Sequence, residues 1–96
     1  MTINSTTSKL PQNYKIEVGI YSSEVTEYTN KIVNYASLPK GWTEIVGTIA
    51  RPNFNPYSYS VDLEVFVNSD GKGCTGVIIN PGITGTIKFC YILVGY

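Results

Sequence analysis

Residues 61–67 alternate strictly between two kinds of side chain. Val61, Leu63, Val65 and Val67 are apolar, and Asp62, Glu64 and Phe66 stand between them. Successive residues of a strand point to opposite faces, so this segment is a half-buried strand. The stretch that follows, Asn68-Ser-Asp-Gly-Lys-Gly73, is a hairpin turn, with Asp70-Gly71 accepting the positive φ such turns need. A second alternation runs from Tyr14 to Tyr21: Tyr14, Ile16, Val18 and Ile20 share one face, and Lys15, Glu17, Gly19 and Tyr21 the other. Thr43–Ala50, Gly73–Ile79 and Gly85–Tyr96 read as further strands, separated by Pro/Asn/Gly-rich turns at 51–57 and 80–84. Residues 23–37 place Val25, Tyr28, Ile32 and Tyr35 near helical spacing. Thr, Tyr, Val and Asn make a poor helix interior, however, so two short strands are expected, about 24–29 and 31–37, broken near Asn30. A short helix is the alternative. The whole predicts an all-β domain, an antiparallel sandwich or barrel.

The same 96 residues exclude several kinds of function. There is no histidine, which removes Ser-His-Asp and Cys-His chemistry and imidazole metal ligands. Seven basic and seven acidic residues balance, and Arg51 is the single arginine, so no counterion-release footprint for nucleic acid or an acidic membrane exists. Charged residues make up 15%, against about 25% in an average domain. Thr, Ser, Asn and Tyr take their place and give a neutral, hydrogen-bonding surface. No apolar run approaches a membrane span, and no basic segment leads into an apolar one as in a secretion leader. Residues 1–12 are polar and read as a linker.

Chemistry-bearing candidates are few. Cys74 and Cys90 are equidistant from Gly82, so a symmetric hairpin would set them opposite each other. They are either a cross-strand disulfide or, as the missing leader favours, two free thiols; neither makes a zinc site. Asp62 and Glu64 share a strand face at a spacing that suits glycoside hydrolysis, but a solvated face is the simpler account. Asn68–Gly73 lacks the acidic ligands of a calcium loop. Trp42, Tyr57 and Tyr59 lie in or beside loops, where aromatic faces stack on sugar rings while Asn, Asp and Arg bind hydroxyls. Core packing or a subunit contact is the competing role.

The last strand is apolar on both faces: Ile87, Phe89, Tyr91 and Leu93 against Cys90, Ile92 and Val94. Such strands are buried on both sides. In a thin two-sheet domain the second face must meet something, and a partner chain is expected.

The order of these features is similar to a known family. A Ser/Thr-rich lead, Leu38-Pro39-Lys-Gly41-Trp42, Val61-Asp-Leu-Glu-Val-Phe-Val-Asn-Ser-Asp-Gly-Lys, Asn80-Pro-Gly-Ile-Thr-Gly and a terminal aromatic strand occur in turn. Over residues 13–96 this resembles the C-terminal head domains of baseplate receptor-binding proteins (tail-fibre adhesins) of siphophages infecting lactococci. The resemblance implies a small antiparallel β-barrel or Greek-key sandwich and a homotrimeric head at the virion tail tip. It also implies binding of host cell-wall saccharide without catalysis or cofactor. Residues 1–12 would be the remnant of a neck that joins the head to upstream baseplate domains. Family heads use Trp, Asp, His and Arg for sugar; with no histidine and one arginine, this sequence inherits no such site residue by residue. Trp42, Arg51, Asn55, Tyr57 and Asp70 are chosen instead by chemistry and loop position as the saccharide-binding candidates. The alternatives are a bacterial carbohydrate-binding or adhesion domain from a larger secreted protein, and a purely structural virion domain.

Overall fold

The computed structural model describes residues 13–52, 62–79, 81–82 and 84–96. The expected linker at 1–12 and the loop candidates Asn55, Tyr57 and Tyr59 lie outside them. Among the described residues, six strands form two antiparallel three-stranded sheets. They are β1 (Lys15–Val25), β2 (Lys31–Ser37), β3 (Ile45–Pro52), β4 (Asp62–Val67), β5 (Gly73–Ile79) and β6 (Gly85–Gly95). The first sheet has the order β1-β6-β3 and the second β2-β5-β4. The all-β expectation is met, but the sheets do not close on each other, so the barrel gives way to two stacked sheets.

The segment 23–37 resolves in favour of strands. β2 spans Lys31–Ser37 as expected, whereas the stretch 24–29 divides between the end of β1 and the turn after it. The alternation of β4 is also as expected: Leu63, Val65 and Val67 pack against the core, and Asp62, Glu64 and Phe66 are exposed. Its hairpin to β5 is closed by Asn68 N–H to the Gly73 carbonyl and Gly71 N–H to the Asn68 carbonyl, both 2.9 Å. Gly71 has φ 71°, a conformation that a side chain resists.

One expectation is corrected. Cys74 and Cys90 do not face each other: β5 and β6 are the central strands of different sheets. The connection from β5 to β6 therefore joins the two sheets instead of folding the chain back within one. Both thiols are free, Cys74 buried and Cys90 exposed. The expected alternation of β1 left open which face meets the core. The alternation is present, but its apolar set points outward, and Gly19, Tyr21, Ser23 and Val25 face the core side. Register places Ile16 beside Val94, Val18 beside Ile92 and Ile20 beside Cys90. On the other side of β6, Ile49 lies beside Ile92 and Arg51 beside Cys90. The outward face of the first sheet is therefore apolar from the Ile16–Val94 row to the Ile20–Cys90 row, with Arg51 at its β3 edge and Ser22 and Lys88 in the next row.

Between the sheets lies the core. Val25, Ile45, Ile87, Phe89 and Leu93 come from the first sheet, and Val33, Tyr35, Cys74 and Ile78 from the second. A register shift in β2 between Asn34 and Ala36 sits at Tyr35. Tyr35 meets Phe89 edge-on, with centroids 5.4 Å apart and planes at 76°, and lies 5.2 Å from the Tyr91 ring. Its hydroxyl is 2.5 Å from Thr48 Oγ1 in the opposite sheet. That hydrogen bond satisfies the one polar atom of an otherwise apolar ring. Burial pushes the Tyr35 phenol up to about 12, against the ordinary 10.0. It raises the Cys74 thiol as well.

A folded-state pKa raised for an acid means that the folded form holds its proton while the unfolded form releases it. Stability is complete below about pH 10 and falls as pH climbs towards about 12, by on the order of 2 kcal/mol. Urea midpoints measured across that range are expected to decline accordingly. Tyr35→Phe, which costs about 1 kcal/mol at neutral pH through the lost hydrogen bond, should flatten most of the decline.

Candidate functional site

Trp42 is half-buried and packs against the core cluster. Its loop, Leu38–Glu44, closes one end of the sheet stack. Trp42 N–H donates to the Pro39 carbonyl at 3.0 Å, and Leu38 N–H donates to the Lys72 carbonyl at 2.9 Å. Tyr96 N–H donates to the Glu44 carbonyl, and Glu44 N–H returns a bond to the Tyr96 carbonyl, both at 3.0 Å. The Tyr96 hydroxyl reaches Glu44 Oε2 at 3.2 Å, and its ring stacks on Tyr14 at 5.6 Å. The neighbouring Glu44 carboxylate raises the Tyr96 pKa. Gly95 lies directly under the Trp42 ring, and any side chain there would run into the ring at 2.7 Å and into the Glu44 carbonyl.

Asp70 belongs to the same end. It is exposed, and its Oδ1 accepts the Lys72 N–H at 2.9 Å, the bond that shapes the β4–β5 turn. Lys72 Nζ in turn donates to the Thr43 carbonyl at 2.9 Å. Arg51 is also exposed but stands near the far end of β3, about 20 Å along the strand from its start. The structure thus gathers Trp42 and Asp70 at one end and sets Arg51 apart from them. Asn55 and Tyr57 lie outside the described residues.

Asp62 and Glu64 stand exposed on the outward face of β4. Among the described residues, no cluster of His, Cys, Asp and Glu is arranged to hold a metal ion. A shallow hollow occurs in the β1–β2 turn, lined by Val25, Thr26, Glu27, Thr29, Asn30 and Lys31.

A different group of residues forms a continuous polar-aromatic row. On the outward face of the second sheet, register sets Asn34 of β2 beside Thr75 of β5 and Thr75 beside Phe66 of β4. The Thr75 hydroxyl lies 2.6 Å from Asn68 Oδ1 and 3.1 Å from Asn34 Oδ1. It has one proton to donate, so the row fixes two amide side chains around a single hydroxyl. Phe66 beside them is 51% exposed, a bare ring on a sheet face. Its place on the polar side of β4 was legible in the alternation. Asn34 and Thr75 were not, because only the pairing of β2 and β4 with β5 brings them alongside. Comparison with protein-family models, curated proteins and solved structures finds no match to this chain.

Trp42 serves as a lid on the core as well as a ring beside a loop, so its environment reports on the closed end. Gly95→Ala is expected to displace the ring, cost about 1–3 kcal/mol by overpacking and red-shift the emission of the lone tryptophan. Denaturant unfolding followed by fluorescence checks both effects.

Proposed function

We propose that this chain is a non-catalytic saccharide-recognition module, the head of a phage receptor-binding protein that attaches the tail tip to host cell-wall polysaccharide. The observation that carries the reading is the row Asn34–Thr75–Phe66 with Asn68 beside it. A sugar ring needs an apolar platform for its C–H face and neutral donors and acceptors for its hydroxyls. Phe66 supplies the first, and the Asn34 and Asn68 amides, oriented by the buried Thr75 hydroxyl, supply the second. Their positions are fixed by three paired strands, so little entropy is lost on binding. Charge balance fits the same ligand class, because discrimination then rests on short-range contacts instead of long-range steering.

The closed end offers a second polar surface. Asp70 and the Trp42 loop lie there, and in this reading they extend the contact or hold its scaffold. Display as a trimer, with residues 1–12 leading back to neck and baseplate domains, would multiply weak single sites into firm adsorption.

Isolated cell-wall polysaccharide of lactococcal hosts, immobilised and probed with the full chain, tests the reading. Binding is expected, and Phe66→Ala should weaken it by about tenfold or more without lowering stability, since the ring is exposed. Asn34→Ala should act in the same direction. If wild type binds no cell wall or glycan, the structural-domain reading stands in its place. If it binds and Phe66→Ala is neutral while Trp42→Ala or Tyr57→Ala abolishes binding, the site is at the loops.

A further inference from the structure

The outward face of the first sheet carries more exposed aliphatic surface than solubility calls for. Ile16, Val18, Ile20, Ile49 and Ile92 are 60, 68, 65, 63 and 40% exposed. Register makes them neighbours, in three successive rows across β1, β6 and β3, with Cys90 in the third row. Together the five leave on the order of 500 Å² of side chain open to water, near the upper bound for the largest patch on a monomer. It is also more than half of the roughly 800 Å² that each partner gives to a standard interface.

We infer that this face packs against further copies of the same chain. Three features of the molecule favour a second copy over another partner. First, the five aliphatics alone supply more than half of one side of a standard interface, an extent suited to a protein face and not to a small ligand. Second, within the three rows the sole charged side chain is Arg51, at the β3 edge, so the patch offers an unlike partner almost no polar handle. A predominantly apolar surface is complementary to itself. Third, the chain has no net charge, so copies approach without mutual repulsion. Residues 1–12 hold only Met1, Ile3 and Leu10 as large apolar side chains, too few to match five aliphatics. The inference deepens the oligomeric part of the proposed function, yet it stands on this face alone and needs no saccharide.

Sedimentation velocity of the full chain, from micromolar to hundred-micromolar concentration, is the test. Wild type is expected to sediment as an oligomer. The double variant Val18→Lys, Ile92→Lys should sediment as a monomer with an unchanged far-ultraviolet spectrum, because both side chains already face solvent in the single chain. Ile32→Lys, equally exposed but on the opposite sheet, should leave the oligomer intact. Cys90 gives a second readout in the unmodified protein. Its thiol should react at least tenfold more slowly with a maleimide when assembled than when diluted, while Cys74 reacts only on unfolding. Wild type that stays monomeric throughout the range overturns the inference. So does a monomer with a protected Cys90, which would mean that residues 53–61, with Phe54, Tyr57 and Tyr59, cover the face. So does an oligomer dissolved by Ile32→Lys and not by the double variant. Monomeric variants that still bind cell wall would separate the fate of this interface from that of the proposed function.

Discussion

Everything in this domain depends on how Tyr35 crosses from one sheet to the other. A pair of three-stranded sheets has little interior, and each sheet alone would expose both faces. Tyr35 fills the gap from the second sheet, leans edge-on against Phe89, lies by Tyr91 and ends on Thr48 of the first. One side chain thus combines aromatic packing with a hydrogen bond between layers. The register shift in β2 is what allows it, and the raised phenol pKa is the electrostatic sign of its burial. With the layers fixed in this way, each sheet's outer face becomes a surface of defined residue order. One is a polar row with an exposed ring, the other a plain of aliphatics.

These two faces offer different chemistry. Recognition of a neutral ligand asks for oriented hydrogen-bonding groups, and the second sheet holds them in place through the Thr75 hydroxyl. Association between chains asks for apolar area, and the first sheet supplies it. Because the faces lie on opposite sides of the core, an assembly built on the first leaves the second open to a ligand.

How much of this could be read before the fold was known follows from what a period-2 pattern encodes. Alternation shows which residues share a face but not which face meets the core. For β4 the assignment was clear, because Leu63, Val65 and Val67 oppose two carboxylates. For β1 the alternation alone did not choose between its faces: Gly19 leaves room for the Tyr91 ring and Tyr21 packs on Phe89, so the aliphatics Ile16, Val18 and Ile20 point outward. The two-faced character of β6 did point to an unpartnered surface. Cys74 and Cys90 misled, since Asn80-Pro-Gly marks a turn without telling whether the chain returns within its sheet or crosses to the other. Trp42 had a visible turn around it but no visible Gly95 beneath it. The Asn34–Thr75 contact joins residues 41 apart, which local pattern does not reach.

The strand order also sets a schedule. Of the five connections, only β4 to β5 joins hydrogen-bonded neighbours; the others cross between sheets. Both β1 and β3 pair only with β6, the last of the six strands to be made. At ribosomal speeds of about 5–20 residues per second, β1 waits several seconds for its partner. During that wait the second sheet can form and the first cannot. The nascent chain therefore carries the exposed aliphatics of β1 unpaired until β6 has been made, and such distant pairing closes slowly. A chaperone or an early-folding neighbour would act in that interval, and it is there, before the native state exists, that this topology is most exposed to misassembly.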